Sequence, residues 1–216
     1  MEKKESPNIN LIPKRAGFSQ RVFGIIKFAL GIFLLPFVYS VTIAFLNELS
    51  TLEPAIKHYF FAGLISFVII YLFIYEPVII YNKGQKILEA VFRYFSPLVK
   101  VAPYLLPIYT IILFLIYGLY SIISKSAEPI KYFTLLFGFS IGLHLTFSAK
   151  SLRSRQNDFL KANYIFGFSF IYIINLIILA FGLSLIFSSF SFVNFCNNSF
   201  QIAANLFGVL FKQLFL

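Results

Sequence analysis

Five apolar runs, 28–46, 59–75, 101–123, 129–148 and 164–187, constrain this chain more than any other feature of its sequence. Each approaches the roughly 20 residues an α-helix needs to cross the hydrocarbon core of a bilayer. In lipid the backbone must satisfy its own polar groups, which a helix does segment by segment. The expectation is an all-α, polytopic transmembrane helical bundle. Composition agrees, since 59% hydrophobic residues, 12% charged residues and a mean hydropathy of +0.86 lie outside the range of a soluble domain. Phe (30) and Tyr (13) supply all the aromatic content, so any interfacial aromatic belt is built from Tyr. The net charge of +10 comes from basic residues scattered between apolar runs, which reads as topology and not as a nucleic-acid surface. Cys196 is the single cysteine, so neither an intramolecular disulfide nor a thiolate cage is available; it reads as a small apolar residue.

Residues 1–27 form a basic cytoplasmic tail and leader, with Pro7 and Pro13 but no apolar periodicity in the first half. No small-residue cleavage site of the usual kind follows the first apolar run, which therefore reads as an uncleaved anchor kinked at Pro36. The transmembrane domain extends over 28–190. Glu76 and Pro77 end the second run, and residues 78–95 are too polar for a lipid-facing span. They read as one short polar helix packed in the bundle and capped by Pro97. Pro103 and Pro107 open the third run and free backbone carbonyls that neighbours or water must satisfy. The fourth run carries Gly138 and Gly142 in a small-xxx-small pattern, which reads as a close-packing face. The segment 191–216 places Gln201, Asn205, Gly208 and Lys212 on one stripe of an amphipathic helix, interfacial or covering the bundle. Residues 197–199 match a glycosylation sequon, a triplet common by chance.

Positive-inside counting places fourteen Lys and Arg on one side and four (Lys57, Lys125, Lys131, Lys212) on the other, if residues 78–95 do not cross. This predicts five crossings, with the N-terminus cytoplasmic and the C-terminus opposite.

Most of the polarity available for chemistry lies in or faces residues 81–109. Within it, GQKILEA (84–90) has the frame of a GHExxHA motif, and VAPYLLPIYTI, LHLTFSAKSLRSRQNDF and FIYIINLIILA follow in order. Over about 72–186 the chain resembles a small bacterial branch of the site-2-protease-type intramembrane metalloproteases. In that family two histidines spaced i, i+4 bind zinc and the glutamate between them activates water. Here those positions read Gln85, Lys86 and Glu89. A carboxamide is a poor zinc ligand, and an ammonium stands where the base belongs. The resemblance places the third family ligand at Asp158. The soluble loop that often follows the motif is reduced to a few residues around Pro97.

The degenerate motif is thus Gln85, Lys86 and Glu89, and the candidate polar network is Lys86, Glu89, Arg93, His144, Asp158 and Asn175. Lys86 with Glu89 and Glu89 with Arg93 have the spacing to pair along their own helix. His144 and Asn175 read as interhelical hydrogen-bonding contacts. No catalytic residue, metal or cofactor is expected. The leading expectation is a non-catalytic inner-membrane subunit that binds, scaffolds or regulates, with the lipid bilayer and other membrane proteins as partners and no nucleic acid. Two rivals stand beside it, a zinc metalloprotease with an atypical carboxylate site and a transport or lipid-handling subunit.

Overall fold

The computed structural model describes residues 18–124, 129–154 and 164–215. Within them the chain is all-α. Helix α1 is Phe18–Ser50, α2 Pro54–Ile69, α3 Val78–Val91, α4 Ser96–Leu105, α5 Ile108–Ile123, α6 Ile130–Ser154, α7 Tyr164–Ile186 and α8 Phe192–Phe215. Among the described residues four stretches are long and apolar enough to cross a membrane, Val22–Ser50, Pro54–Ile74, Ile130–Arg153 and Tyr164–Ile186. The chain is an integral membrane protein.

Local chemistry sets the boundaries. Pro54 occupies the first turn of α2, where its missing N–H costs nothing. That helix continues as a π-helical turn, Ile70–Ile74, before Tyr75 turns extended (φ −160°, ψ 140°) ahead of Glu76 and Pro77. Helix α3 stops at Val91, short of the expected 95, and Pro97 opens the first turn of α4 instead of capping the helix before it.

The largest departure from expectation concerns the third apolar run. Residues 101–123 are not one span but the end of α4 and all of α5, broken at Leu106 and Pro107. Leu106 is extended (φ −98°, ψ 125°), as steric conflict with the following proline ring requires. Pro107 also has no N–H to give the carbonyl four residues back. At 16 residues α5 falls short of a full crossing on its own.

Two parallel helix pairs form the centre of the bundle. Helices α2 and α6 run side by side from Tyr59 beside Tyr132 to Tyr71 beside Phe147. A Cβ at Gly63 would lie 1.9 Å from the Leu135 carbonyl oxygen, and one at Gly138 would lie 2.1 Å from that of Phe60. The two backbones therefore touch, and Gly142 continues the face against the Phe67 ring. Helices α1 and α7 form the second pair, with Gly31 against the Phe166 backbone and Thr42 hydrogen-bonded to the Tyr172 hydroxyl at 2.9 Å. Phe45, Phe60, Phe137, Leu179, Leu183 and Phe190 fill the core between the pairs.

Polar contacts tie off each end. The Ser191 backbone N–H donates to the buried Glu48 carboxylate at 3.0 Å, and the Thr51 hydroxyl lies between the Glu48 carbonyl at 2.7 Å and the Ser189 carbonyl at 2.8 Å, with one proton to share between them. At the other end Lys150 pairs with Glu76. Helix α8 then runs back along α1, its Phe207 ring 5.0 Å from that of Phe33 and 5.4 Å from that of Phe37.

Candidate functional site

The break between α4 and α5 organises the buried polar residues. A helix that stops leaves its last four carbonyls without intrahelical donors. The Leu106 N–H takes that of Ala102 at 2.9 Å, and the carbonyls of Tyr104 and Leu105 are taken by side chains from two other helices.

Tyr104 O accepts from His144 Nε2 and from Ser148 Oγ, both at 3.1 Å. A carbonyl only accepts, so Nε2 carries the imidazole proton in this arrangement and the serine proton is committed as well. The Tyr81 hydroxyl, 3.1 Å from Ser148 Oγ, must then be the donor of that pair. One turn of α6, His144 to Ser148, thus presents two donors to one carbonyl and draws α3 in through Tyr81. From α7, Asn175 Nδ2 donates to Leu105 O at 3.0 Å and to Ile171 O at 2.8 Å in its own helix. Farther along, the Thr110 and Ser140 hydroxyls meet at 2.8 Å; Ser140 donates to Phe137 O, which makes Thr110 the donor to Ser140.

Helix α3 seats against this centre through Tyr81, Gly84 and Leu88. Gly84 lets α3 sit close there, because a Cβ would lie 2.8 Å from both Ile108 Cγ2 and Tyr109 Cε2 and those side chains would have to shift. The Tyr109 hydroxyl donates to Ile80 O at 2.5 Å and holds the start of α5 to the same helix.

Two buried polar atoms have no hydrogen-bond partner among the described residues, Gln85 Nε2 and Asn175 Oδ1. They lie on the two helices that flank the break.

The expected network is therefore divided. His144 and Asn175 are fully inside and act on consecutive carbonyls of α4. Gln85 is half-buried, whereas Lys86, Glu89 and Arg93 are exposed on the outer face of α3. Asp158 lies outside the described residues. The expected pairing of Lys86 with Glu89 and of Glu89 with Arg93 is not formed, since none of the three makes an ion pair with another described residue. Long side chains on an exposed helix face gain little from such a contact against the rotamer entropy it costs.

Zinc fits this arrangement poorly. Gln85 offers an amide and Lys86 a cation, and the His144 Nε2 lone pair is replaced by the proton given to Tyr104. Among the described residues no three His, Cys, Asp or Glu side chains converge into a metal-binding group.

Tyr81, Ser148 and Glu48 are polar positions that sequence reasoning missed. Ser148 had a signal, its i, i+4 relation to His144; Tyr81 and Glu48 had none, because their partners are distant in sequence. No family model, curated protein or solved structure matches the chain.

Proposed function

We propose that this chain is a non-catalytic integral membrane protein that serves as a binding or scaffold subunit of a membrane complex, on a core that resembles the site-2-protease type. One observation carries this reading: the buried donors His144, Ser148 and Asn175 are spent on the carbonyls of a broken helix, while Lys86 and Glu89 of the motif frame point away from that centre. A site for hydrolysis needs ligands and a base facing a common cavity. The outward charges of α3 (Lys83, Lys86, Glu89, Arg93) suit a headgroup layer or a partner protein. The excess of basic residues in the tail and in the loops after the second and fourth apolar runs supports a cytoplasmic N-terminus in a bacterial inner membrane.

The test is purification from native membranes with measurement of bound metal and of co-purifying proteins, for the wild type and for a Lys86→Glu, Arg93→Glu variant. A metal-poor protein whose partner is lost in the variant supports the subunit. Stoichiometric zinc that depends on Glu89 would overturn it in favour of an atypical protease. The shared core has its own test: Gln85→His, Lys86→Glu, Glu89→His should create zinc binding that depends on Asp158.

A transport or lipid-handling role is favoured by a different observation. Unpartnered Gln85 Nε2 and Asn175 Oδ1 flank a discontinuous helix, and a groove of about 500 Å³ between α5 and α7 is lined by Phe114, Tyr117, Gly118, Gly182 and Leu185. Discontinuous helices build solute sites in transporters. Native mass spectrometry of the detergent-solubilised protein would detect a retained lipid.

A further inference from the structure

We propose that α8 crosses the bilayer, returning the C-terminus to the side of the N-terminus, and that its outward polar stripe is the seam for a second copy of this chain. The course of α8 follows from three contacts. It begins at Ser191, whose N–H is held by Glu48 near the end of α1 and whose hydroxyl accepts the Asn194 N–H at 3.2 Å as an N-cap. Sixteen residues later Phe207 packs on Phe33 and Phe37. At about 1.5 Å per residue α8 advances about 24 Å, while α1 is retraced by about 17 to 22 Å. The two helices are therefore antiparallel, and α8, which is not among the four stretches apolar enough to cross by themselves, travels with α1 through the depth of its apolar span, Val22–Ser50. Helix α8 extends eight residues beyond Phe207 to Phe215, to the level of the first turns of that span.

The face of α8 turned away from the bundle carries Asn194, Asn197, Gln201, Asn205, Gly208 and Lys212, all exposed. Phe195 and Ala203, on the opposite face, are buried against the core. A polar stripe on a helix lying on the water surface would need no partner. At bilayer depth it does, because acyl chains offer carboxamides no hydrogen bonds and an amide left unpaired there keeps its whole desolvation cost.

A second copy answers both the chemistry and the spacing. Every carboxamide holds a donor and an acceptor, so a row of Asn and Gln complements itself across a two-fold axis, whereas a charged partner would call for a charged stripe. Asn194, Gln201 and Gly208 recur every seven residues, as do Asn198, Asn205 and Lys212. Such a repeat keeps one seam facing its mate along a left-handed helix pair. Nothing lies within 4 Å of a Cβ built at Gly208, so the outer face is open there for close approach. Lys212, the one charge, is near the end of α8, where its long stem reaches the headgroups. Moving Lys212 to the N-terminal side leaves fifteen basic residues there and three opposite, a sharper asymmetry than before. The seam is independent of any reading of the polar centre.

The experiment is a cysteine ladder in a Cys196→Ser background, with two differently tagged full-length copies co-expressed and oxidised in native membranes. Gln201→Cys and Asn205→Cys should give disulfide-linked dimers containing both tags, and Phe200→Cys and Val209→Cys on the flanks should not. The triple variant Asn194→Leu, Gln201→Leu, Asn205→Leu should lose the dimer in light scattering of the detergent-solubilised protein. A reporter fused at Leu216 should read the same side as one at the N-terminus. Equal or absent cross-linking on stripe and flanks, linkage only to a different polypeptide, or a Leu216 reporter on the opposite side would overturn the proposal.

Discussion

The α2–α6 contact and the α4–α5 break bring backbone groups together by opposite means. In the first, both helices keep their own hydrogen bonds, and approach requires only that nothing stand between them, so Gly63 and Gly138 remove the side chains. In the second, two prolines strip a helix end of its donors, and approach requires that polar side chains be imported from α6 and α7. The contrast shows that a membrane bundle is held together both by omitting atoms where backbones are satisfied and by adding polar atoms where they are not.

Breaking the omission should cost most. Gly63→Val or Gly138→Val must push two backbones apart, an overpacking penalty of about 3 kcal/mol or more. Thermal unfolding in detergent should show a clear fall in midpoint, while Gly118→Ala, with nothing within 4 Å, should show none. Equal behaviour of the two sites would dissolve the α2–α6 seam.

Breaking the addition should cost less. Asn175→Leu leaves the Leu105 carbonyl without its side-chain donor, a loss of about 1 to 3 kcal/mol. His144→Leu, which keeps most of the buried volume, should cost less than that, near the average of about 0.6 kcal/mol for an interhelical hydrogen bond in a membrane, because Ser148 still serves the Tyr104 carbonyl. The double variant with Ser148→Ala should exceed the sum of the single changes, since only it strands that carbonyl. Strict additivity in a double-mutant cycle would mean that the two donors do not share their acceptor.

Contacts at the bundle ends sharpen the comparison at its weak limit. Glu48→Leu removes the acceptor of the Ser191 N–H and should lower stability by about 1 kcal/mol, whereas Glu48→Gln, which keeps an oxygen, should be milder. Smallest of all, Lys150→Ala, Lys83→Ala and Lys86→Ala should leave the midpoint unchanged, since all three side chains are exposed. For Lys86 this follows from its exposed position and departs from its expected place in a polar network with Glu89 and Asp158. A marked loss on Lys86→Ala alone would restore that network.

Much of the fold was legible in the sequence because its determinants are local. Apolar length marked four of the five expected spans, the proline pair warned of freed carbonyls, and the Gly138, Gly142 spacing marked a packing face. The site was legible only in part. His144 and Asn175 stood out because a polar residue in an apolar run is conspicuous, but nothing local showed that they serve neighbouring carbonyls of one helix. Lys86, Glu89 and Arg93 joined them in expectation through spacing and family resemblance, and helix rotation then placed the three outside.

By itself, then, the sequence determined that this is an all-α membrane protein, where its four long apolar helices lie, and that Pro103 and Pro107 would free backbone carbonyls; it did not show that the third apolar run divides into α4 and α5. Hydrophobic length, proline stereochemistry and glycine spacing act over a few residues, and a linear reading recovers them. Only the tertiary structure decided which carbonyls His144, Ser148 and Asn175 would satisfy, which face of α3 would turn outward, and that α8 would fold back along α1. Those outcomes depend on how one helix is rotated and directed against another. Contacts such as Glu48 with Ser191 and Phe33 with Phe207, made between residues more than a hundred positions apart, set that geometry.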